Sequence, residues 1–120
     1  MLDPKEFGFF CENLAARYLH GKGYQILARN YRKPWGEIDI IAKKEDIFVF
    51  VEVKANQTEQ AGFDPELRVN PSKLAKIKRT AALCLEYEFK SMDSEWQIDI
   101  VSISLNQTTK KARIKHFKNI

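Results

Sequence analysis

Residues 36–54, GEIDIIAKKEDIFVFVEVK, decide the fold of this chain. Two runs within this stretch, 37–42 and 47–54, have the alternating, β-branched and aromatic character of strands. The four charged residues between the runs predict a turn, so the two strands should be antiparallel neighbours. A turn of that length would place Ala42 across from Ile47.

Polar side chains interrupt one face of this expected hairpin. In that register Asp39 lies across from Phe50 and diagonal to Glu52, and Lys54 projects from the same face. Diagonal neighbours have β-carbons roughly 7 Å apart, so the two carboxylates could share a hard cation such as Mg²⁺. The carbonyl of Val53 could be a backbone ligand. An ordinary cross-strand salt bridge is the alternative, and these residues leave both open.

An amphipathic helix is expected ahead of the hairpin, over residues 5–22, because apolar residues recur there at three- and four-residue spacing. Glu12 shares a core-facing sector of this helix with Gly8 and Ala15. A buried carboxylate is costly unless it is paired or bound to a metal. Glu12 is therefore either a further member of the acidic site or the buried partner of an arginine or a backbone amide.

The rest of the chain adds one strand before the hairpin and a helix and two strands after it. The expected elements are strands 24–32, 95–105 and 111–117, a loop 55–71, and a helix 73–89 with Ser72 as its N-cap. This order predicts an α/β fold with a central mixed sheet flanked by helices. The length of 120 residues predicts a single domain over residues 1–120.

Composition and charge limit the class of protein. The net charge is +4, from 20 Lys and Arg against 16 Asp and Glu, which suggests a polyanionic partner. No signal-peptide pattern is recognisable, and the longest run of large apolar residues, 47–51, is too short to cross a bilayer. Cys11 and Cys84 lie among apolar neighbours, as reduced buried thiols do. We therefore expect a cytoplasmic protein with no membrane partner.

Several segments, read together, carry a resemblance to a known family. They are Glu12 with Ala15-Ala16, Gly23-Tyr24, Arg29-Asn30-Tyr31-Arg32, Gly36-Glu37-Ile38-Asp39 and Phe50-Val51-Glu52-Val53-Lys54. The combination resembles the YraN-like family, a small bacterial group within the PD-(D/E)XK, or restriction-endonuclease-like, superfamily of nucleases. The resemblance implies a restriction-endonuclease-like fold of order αβββαββ. It also implies a Mg²⁺-dependent endonuclease, for which Mn²⁺ would substitute, that hydrolyses phosphodiester bonds in DNA. The sequence has no helix-turn-helix, zinc-finger or base-stacking sheet motif, so we expect structure- or end-selective binding at most.

The same resemblance assigns roles to individual residues. Asp39, Glu52 and Lys54 match the acid and the Glu-x-Lys pair of the catalytic motif. Asp39, Glu52 and the Val53 carbonyl would hold the metal, and Glu12 would reach it directly or through water. Lys54 would position or help deprotonate the attacking water and offset the charge that builds on phosphorus.

Basic residues indicate where a polyanion would lie. Arg32 belongs to an acid-free stretch, 13–35, and Lys73 and Lys76 share one side of the second helix. These three are expected to contact the phosphates of a nucleic acid, most simply DNA, without reading its sequence. Glu37 is expected to support the metal site from one step along its strand. A cut through both strands of a duplex would favour a homodimer.

Two positions keep other functions open. Ala55 and Gln97 stand where relatives often carry basic residues, which lowers the positive charge near the substrate. The alternative is a nucleic-acid- or protein-binding module that keeps the nuclease fold without useful turnover. A further possibility is a salt-bridged scaffold that binds no metal.

Overall fold

Two α-helices and five strands make up the described part of the chain, which is residues 2–56, 70–106 and 108–120 of a computed structural model. They are α1 (Pro4–Gly21), β1 (Gln25–Lys33), β2 (Gly36–Lys44), β3 (Ile47–Asn56), α2 (Pro71–Cys84), β4 (Trp96–Leu105) and β5 (Ala112–Phe117). A π-helical turn, Leu85–Phe89, continues α2. Most of the loop expected over residues 55–71 lies outside the described residues.

The five strands form one sheet in the order β1-β2-β3-β4-β5. Strands β3 and β4 are parallel, and the other neighbouring pairs are antiparallel. Helix α2 lies between β3 and β4 in the chain, as expected because parallel neighbours need a long crossover connection. The predicted α/β class, the mixed sheet flanked by helices and the order αβββαββ are confirmed, and they are consistent with a restriction-endonuclease-like fold.

Each helix covers one face of the sheet and buries a separate core. The α1 core contains the helix residues Phe7, Cys11, Ala15 and Leu19 with Ile40, Val49 and Val51 of the sheet. The α2 core contains Ile77, Ala81 and Cys84 with Ile41, Phe48 and Phe50. The alternation of β3 between these cores confirms which face each side chain takes. Within the described residues, neither helix is both long and apolar enough to span a membrane.

The register expected for the β2–β3 hairpin is wrong by two residues. The strands are joined by a turn of only two residues, Glu45 and Asp46, so that Lys44 pairs with Ile47 and Ala42 with Val49. Both turn residues have positive φ, 51° and 66°. A type I′ hairpin turn requires that conformation and usually signals it with Asn-Gly. The charged pair Glu45-Asp46 carries no such signal, which explains the error.

The start of α2 also differs from the expectation. The N-cap is Asn70 rather than Ser72, because the Asn70 side chain accepts a 2.8 Å hydrogen bond from the Ser72 backbone N–H. Pro71 takes the first helical position, where its missing N–H costs nothing. Ser72 therefore lies inside the helix, beyond the position at which a cap could act.

Helix α2 approaches β2 closely at Gly36. A β-carbon at this glycine would lie 2.1 Å from Oγ1 of the buried Thr80, and the φ of Gly36 is +155°. A residue with a side chain would push the helix away from the strand. Gly36 thus sets how near α2 comes to the acidic end of β2.

Candidate active site

The candidate site lies where β2 and β3 stop pairing with each other. Their last paired residues are Ile40 and Val51, although β2 pairs with β1 as far as Gly36 and β3 with β4 as far as Asn56. Extending the register by one step places Asp39 directly across from Glu52, not diagonal to it. The expected diagonal relation between these two residues is therefore wrong by the same two-residue shift.

Asp39 replaces a backbone carbonyl at this point. Continued pairing would set Val53 opposite Ile38, but the Val53 N–H donates instead to Oδ2 of Asp39 at 2.8 Å. In an extended strand the N–H and C=O of one residue point to the same side. The Val53 carbonyl therefore faces the gap between the strands, on the side of Asp39, as its expected role as a ligand requires.

The environment of Asp39 disfavours its charge. The pKa of Asp39 is raised to about 6. Burial is the main cause, and the negative charges of Glu12, Glu52 and Glu37 add to it, against the lowering effect of the Val53 hydrogen bond. Helix α1 and strands β2 and β3 thus bring four carboxylates within electrostatic reach of one another.

Two buried carboxylate oxygens of the candidate site are without a donor among the described residues. Oε1 of Glu12 and Oε2 of Glu52 are buried and accept no hydrogen bond within the part of the chain that the structure describes. The other oxygen of Glu52, Oε1, lies 2.6 Å from Nζ of Lys73, and the Glu52 side chain is only 12% exposed. Buried polar atoms are ordinarily satisfied, so these two oxygens indicate a missing cation or donor.

The acidic side chains do not form a closed metal cage. Across residues 2–56, 70–106 and 108–120, no three His, Cys, Asp or Glu side chains are grouped so as to hold a metal ion. The negative charge of Glu12 raises the pKa of Asp39, but Glu12 does not form a group of metal ligands with Asp39 and Glu52. Mg²⁺ prefers one or two carboxylates, water and substrate phosphate to an all-protein cage. Asp39, Glu52 and the Val53 carbonyl fit that preference.

A pocket of about 420 Å³ opens beside these carboxylates on the α2 side of the sheet, and we call it the lysine pocket. Its charged lining residues are Glu37, Asp39, Glu52, Lys33, Lys73 and Lys76. The structure therefore places Lys73 and Lys76, which are expected to contact phosphates, beside the acidic site. Lys73 is also the ion-pair partner of Glu52, and the hydrogen bond to Glu52 raises the pKa of Lys73. That pairing was not foreseen.

The remaining predicted residues lie at the margins of this pocket. Arg32 is 3.9 Å from Glu37, with both side chains more than 70% exposed, so the pair is weak. Lys54 is half-buried on β3 and is not among the described residues that line the pocket. Lys33 was missed as a lining residue, although it lies in the basic stretch that contains Arg32. Only its position at the end of β1, which pairs with Gly36, could have singled it out.

His116 belongs to a buried network that lines neither the lysine pocket nor the acidic pair. Its Nε2 lies 2.7 Å from Oδ2 of Asp99, and its Nδ1 lies 3.1 Å from the Tyr18 hydroxyl. Gln97 and the Asn119 backbone N–H donate to the other oxygen of Asp99. Gln97, one of the two positions where relatives often carry a basic residue, is therefore a hydrogen-bond partner of Asp99.

Comparison with known proteins places the chain in a family. A profile described as "Uncharacterised protein family UPF0102" matches residues 11–103. The chain belongs to UPF0102. A UPF0102 protein from Fervidobacterium nodosum is 41% identical over 110 residues, which cover 91% of this chain and 77% of that protein. UPF0102 proteins from Campylobacter fetus (40%; 95% and 92%) and Aquifex aeolicus (43%; 91% and 90%) are similar over comparable shares.

Membership in UPF0102 agrees with the resemblance to YraN-like proteins at the level of the family. The matched region spans α1 from Cys11 and extends into β4, so it contains all the acidic residues of the candidate site. The names of these relatives state no activity.

Proposed function

We propose that this UPF0102 chain is a divalent-metal-dependent nuclease of the PD-(D/E)XK superfamily that hydrolyses phosphodiester bonds in DNA. One observation carries the proposal: among the residues that the structure describes, none donates to the buried oxygens of Glu12 and Glu52 beside Asp39, whose charge the surroundings disfavour. Buried carboxylate oxygens without a hydrogen-bond donor suit a cation. The free buried thiols of Cys11 and Cys84 fit a reducing cytoplasm.

The acidic residues of the site would bind the metal ion. Asp39, Glu52 and the Val53 carbonyl would hold Mg²⁺, or Mn²⁺ in its place, and Glu12 would act through a water molecule. The metal would polarise the scissile phosphate and lower the pKa of a bound water. Glu37, at the exposed edge of the pocket, would add to the negative potential that attracts the cation.

The cations around the pocket would handle the substrate. Lys33, Lys73 and Lys76 line the same side and would hold phosphates of the DNA backbone, which gives affinity without sequence specificity. Lys73 would leave Glu52 when the metal neutralises that carboxylate. Lys54 would orient the attacking water and stabilise the charge that develops on phosphorus.

A cleavage assay tests the proposal. Wild type, Asp39→Asn, Glu52→Gln and the exposed control Glu95→Gln are incubated with single-stranded, duplex, flap and four-way-junction DNA, in Mg²⁺, Mn²⁺ or EDTA. We expect metal-dependent product from wild type and Glu95→Gln, and a loss of at least about a hundredfold in the two site variants. Cleavage by Asp39→Asn at the wild-type rate would show that the site is assigned wrongly.

The ion pair between Lys73 and Glu52 supports a second candidate, a metal-free scaffold or binding module. In that case the ammonium, 2.6 Å from Oε1, is the permanent partner of Glu52. Isothermal titration with Mn²⁺ separates the two candidates. Binding by wild type that Glu52→Gln abolishes excludes the metal-free scaffold, whereas DNA binding without product on any substrate favours the binding module.

A further inference from the structure

The first turns of α1 leave an apolar surface uncovered. Leu2, Phe9 and Phe10 are 39%, 60% and 38% exposed, and they line a groove of about 850 Å³ together with Asn30 and Arg32 of β1. We call this surface the aromatic groove. It is distinct from the lysine pocket, which lies on the α2 side.

The packing of α1 does not require these aromatic rings to be where they are. The buried residues of the helix are Phe7, Cys11, Ala15 and Leu19, which fill the α1 core. Phe9 and Phe10 lie beside that stripe and remain in contact with water. Neighbouring exposed apolar side chains of this size mark an interaction surface more often than an accident of packing.

The aromatic groove and the lysine pocket meet at one exposed pair of residues. Arg32 lines the groove and lies 3.9 Å from Glu37, which lines the lysine pocket. Glu12 also lines the groove, and its negative charge raises the pKa of Asp39. A strand held by the lysines of the pocket would therefore reach the groove by passing the Arg32–Glu37 pair.

This arrangement fits unpaired nucleotides. In a duplex the faces of the bases are stacked inside the helix, so only an unpaired base can stack on an exposed phenyl ring. Exposed Arg32 offers a cation to the phosphates of the same strand, and Asn30 offers an amide to a base or a sugar. A duplex would bring only its charged backbone to this apolar surface.

We propose that the aromatic groove binds the bases of unpaired DNA next to the scissile phosphate, so that the substrate is single-stranded on one side of the cut. This inference rests on the proposed nuclease function for its scissile phosphate. The binding itself depends on the groove and can be measured without cleavage.

Fluorescence anisotropy in EDTA measures the binding of a labelled oligothymidine and of a labelled duplex. We expect Phe9→Ala to weaken oligothymidine binding about tenfold, since stacking of one base on an aromatic ring contributes about 1–3 kcal/mol. Phe9→Trp should keep the affinity. Tyr87→Ala, which removes a ring that is 63% exposed on the π-helical turn, is the matched control and should change nothing.

In the binding assay, three results would overturn the inference. One is a wild type that does not bind oligothymidine, another is an equal loss of duplex and oligothymidine binding in Phe9→Ala, and the third is no loss at all. Sedimentation supplies a further check, because a wild-type dimer that Phe9→Ala converts to monomer would show that the groove joins two copies of the chain.

Cleavage in Mn²⁺ separates this inference from the proposed function. If wild type cleaves flaps and Phe9→Ala loses only its preference for flap over duplex, both are supported. If no substrate is cleaved while oligothymidine binding depends on Phe9, the nuclease function fails and the groove remains a binding site for unpaired DNA. Cleavage that Phe9→Ala leaves unchanged on every substrate overturns the inference alone.

Discussion

Asp39 has two opposite effects on the stability of the fold. Its carboxylate completes the hydrogen bonding of Val53 at the point where the strands part, and it also carries a charge among three other carboxylates. The hydrogen bond favours the fold, whereas the charge opposes it. Functional sites are commonly destabilised in this way, because a charge that the protein already stabilises gains little free energy from binding a ligand.

Asp39→Asn should therefore stabilise the protein when no metal is present. The amide oxygen can still accept from Val53, but the charge is gone. Because the pKa of Asp39 is raised to about 6, the folded state binds a proton more tightly than the unfolded chain between about pH 4 and pH 6, and stability falls as pH rises through that window. We expect the variant to be more stable by about 2 kcal/mol at pH 7.5, as measured by urea unfolding in EDTA.

The same comparison at pH 4 supplies the control. There the wild-type carboxyl is protonated in the folded state, so the difference between the two proteins should nearly vanish. A variant that is less stable than wild type at pH 7.5 would show that Asp39 is paired with a cation of the protein itself.

At the scale of the elements, the sequence was sufficient for strand positions but not for their register. The alternation of residues 47–54 predicts which face Glu52 takes, and Phe48 and Phe50 confirm it by packing in the α2 core. Register depends on the turn, and a two-residue turn of Glu45 and Asp46 has no compositional signature. The same limit applies to the cap, since Asn70 and Ser72 both favour helix starts and only the backbone decides between them.

The turn itself should be improvable. Glu45 and Asp46 both adopt positive φ, which costs free energy in residues other than Gly and Asn. The double substitution Glu45→Asn with Asp46→Gly should raise the free energy of unfolding by about 1 kcal/mol, as measured by urea unfolding. The reversed pair, Glu45→Gly with Asp46→Asn, keeps the composition but not the preferred order, and it should gain less. A loss of stability in the Asn-Gly variant would mean that the side chains of Glu45 and Asp46 stabilise the turn.

At the scale of the whole molecule, the candidate site draws on both faces of the sheet. Glu12 comes from the α1 core side and Lys73 from α2, while Asp39 and Glu52 lie on the strands between them. The sequence predicts Glu12 because its neighbours on the helix are small and core-facing. It does not predict the Lys73–Glu52 pair, which depends on how closely α2 docks at Gly36 and Thr80. Contacts between distant elements leave no periodic signal in the chain.

On β4, where Asp99 pairs with Val51 of β3, the Asp99 network links α1, β4 and β5 through Tyr18 and His116. Burial alone would raise the pKa of Asp99, but hydrogen bonds from His116, the Asn119 backbone and Gln97 outweigh it and lower the pKa. Asp99→Ala should lower the free energy of unfolding by about 3 kcal/mol at pH 7, because three donors lose their acceptor. Ser102 lies on the same strand and is also buried, so Ser102→Ala is the control and should lower the free energy of unfolding much less.

Urea unfolding at two pH values tests the electrostatic part of that loss. A lowered pKa means that the stability from the Asp99 charge is present above about pH 4 and is lost as pH falls through the pKa of the folded state. The difference between wild type and Asp99→Ala should therefore narrow at pH 2. A difference that stays constant would assign the loss to packing.

The hydrogen bond from the Val53 amide to Asp39 gives the molecule a spectroscopic label of its own. An amide proton held by a charged carboxylate resonates at lower field than one held by a neutral acid, so a single backbone peak follows the state of Asp39. In a ¹⁵N-labelled sample that peak responds when a proton or a cation engages the carboxylate. The occupancy of the site can thus be followed residue by residue in the intact protein, without a substrate or an attached dye.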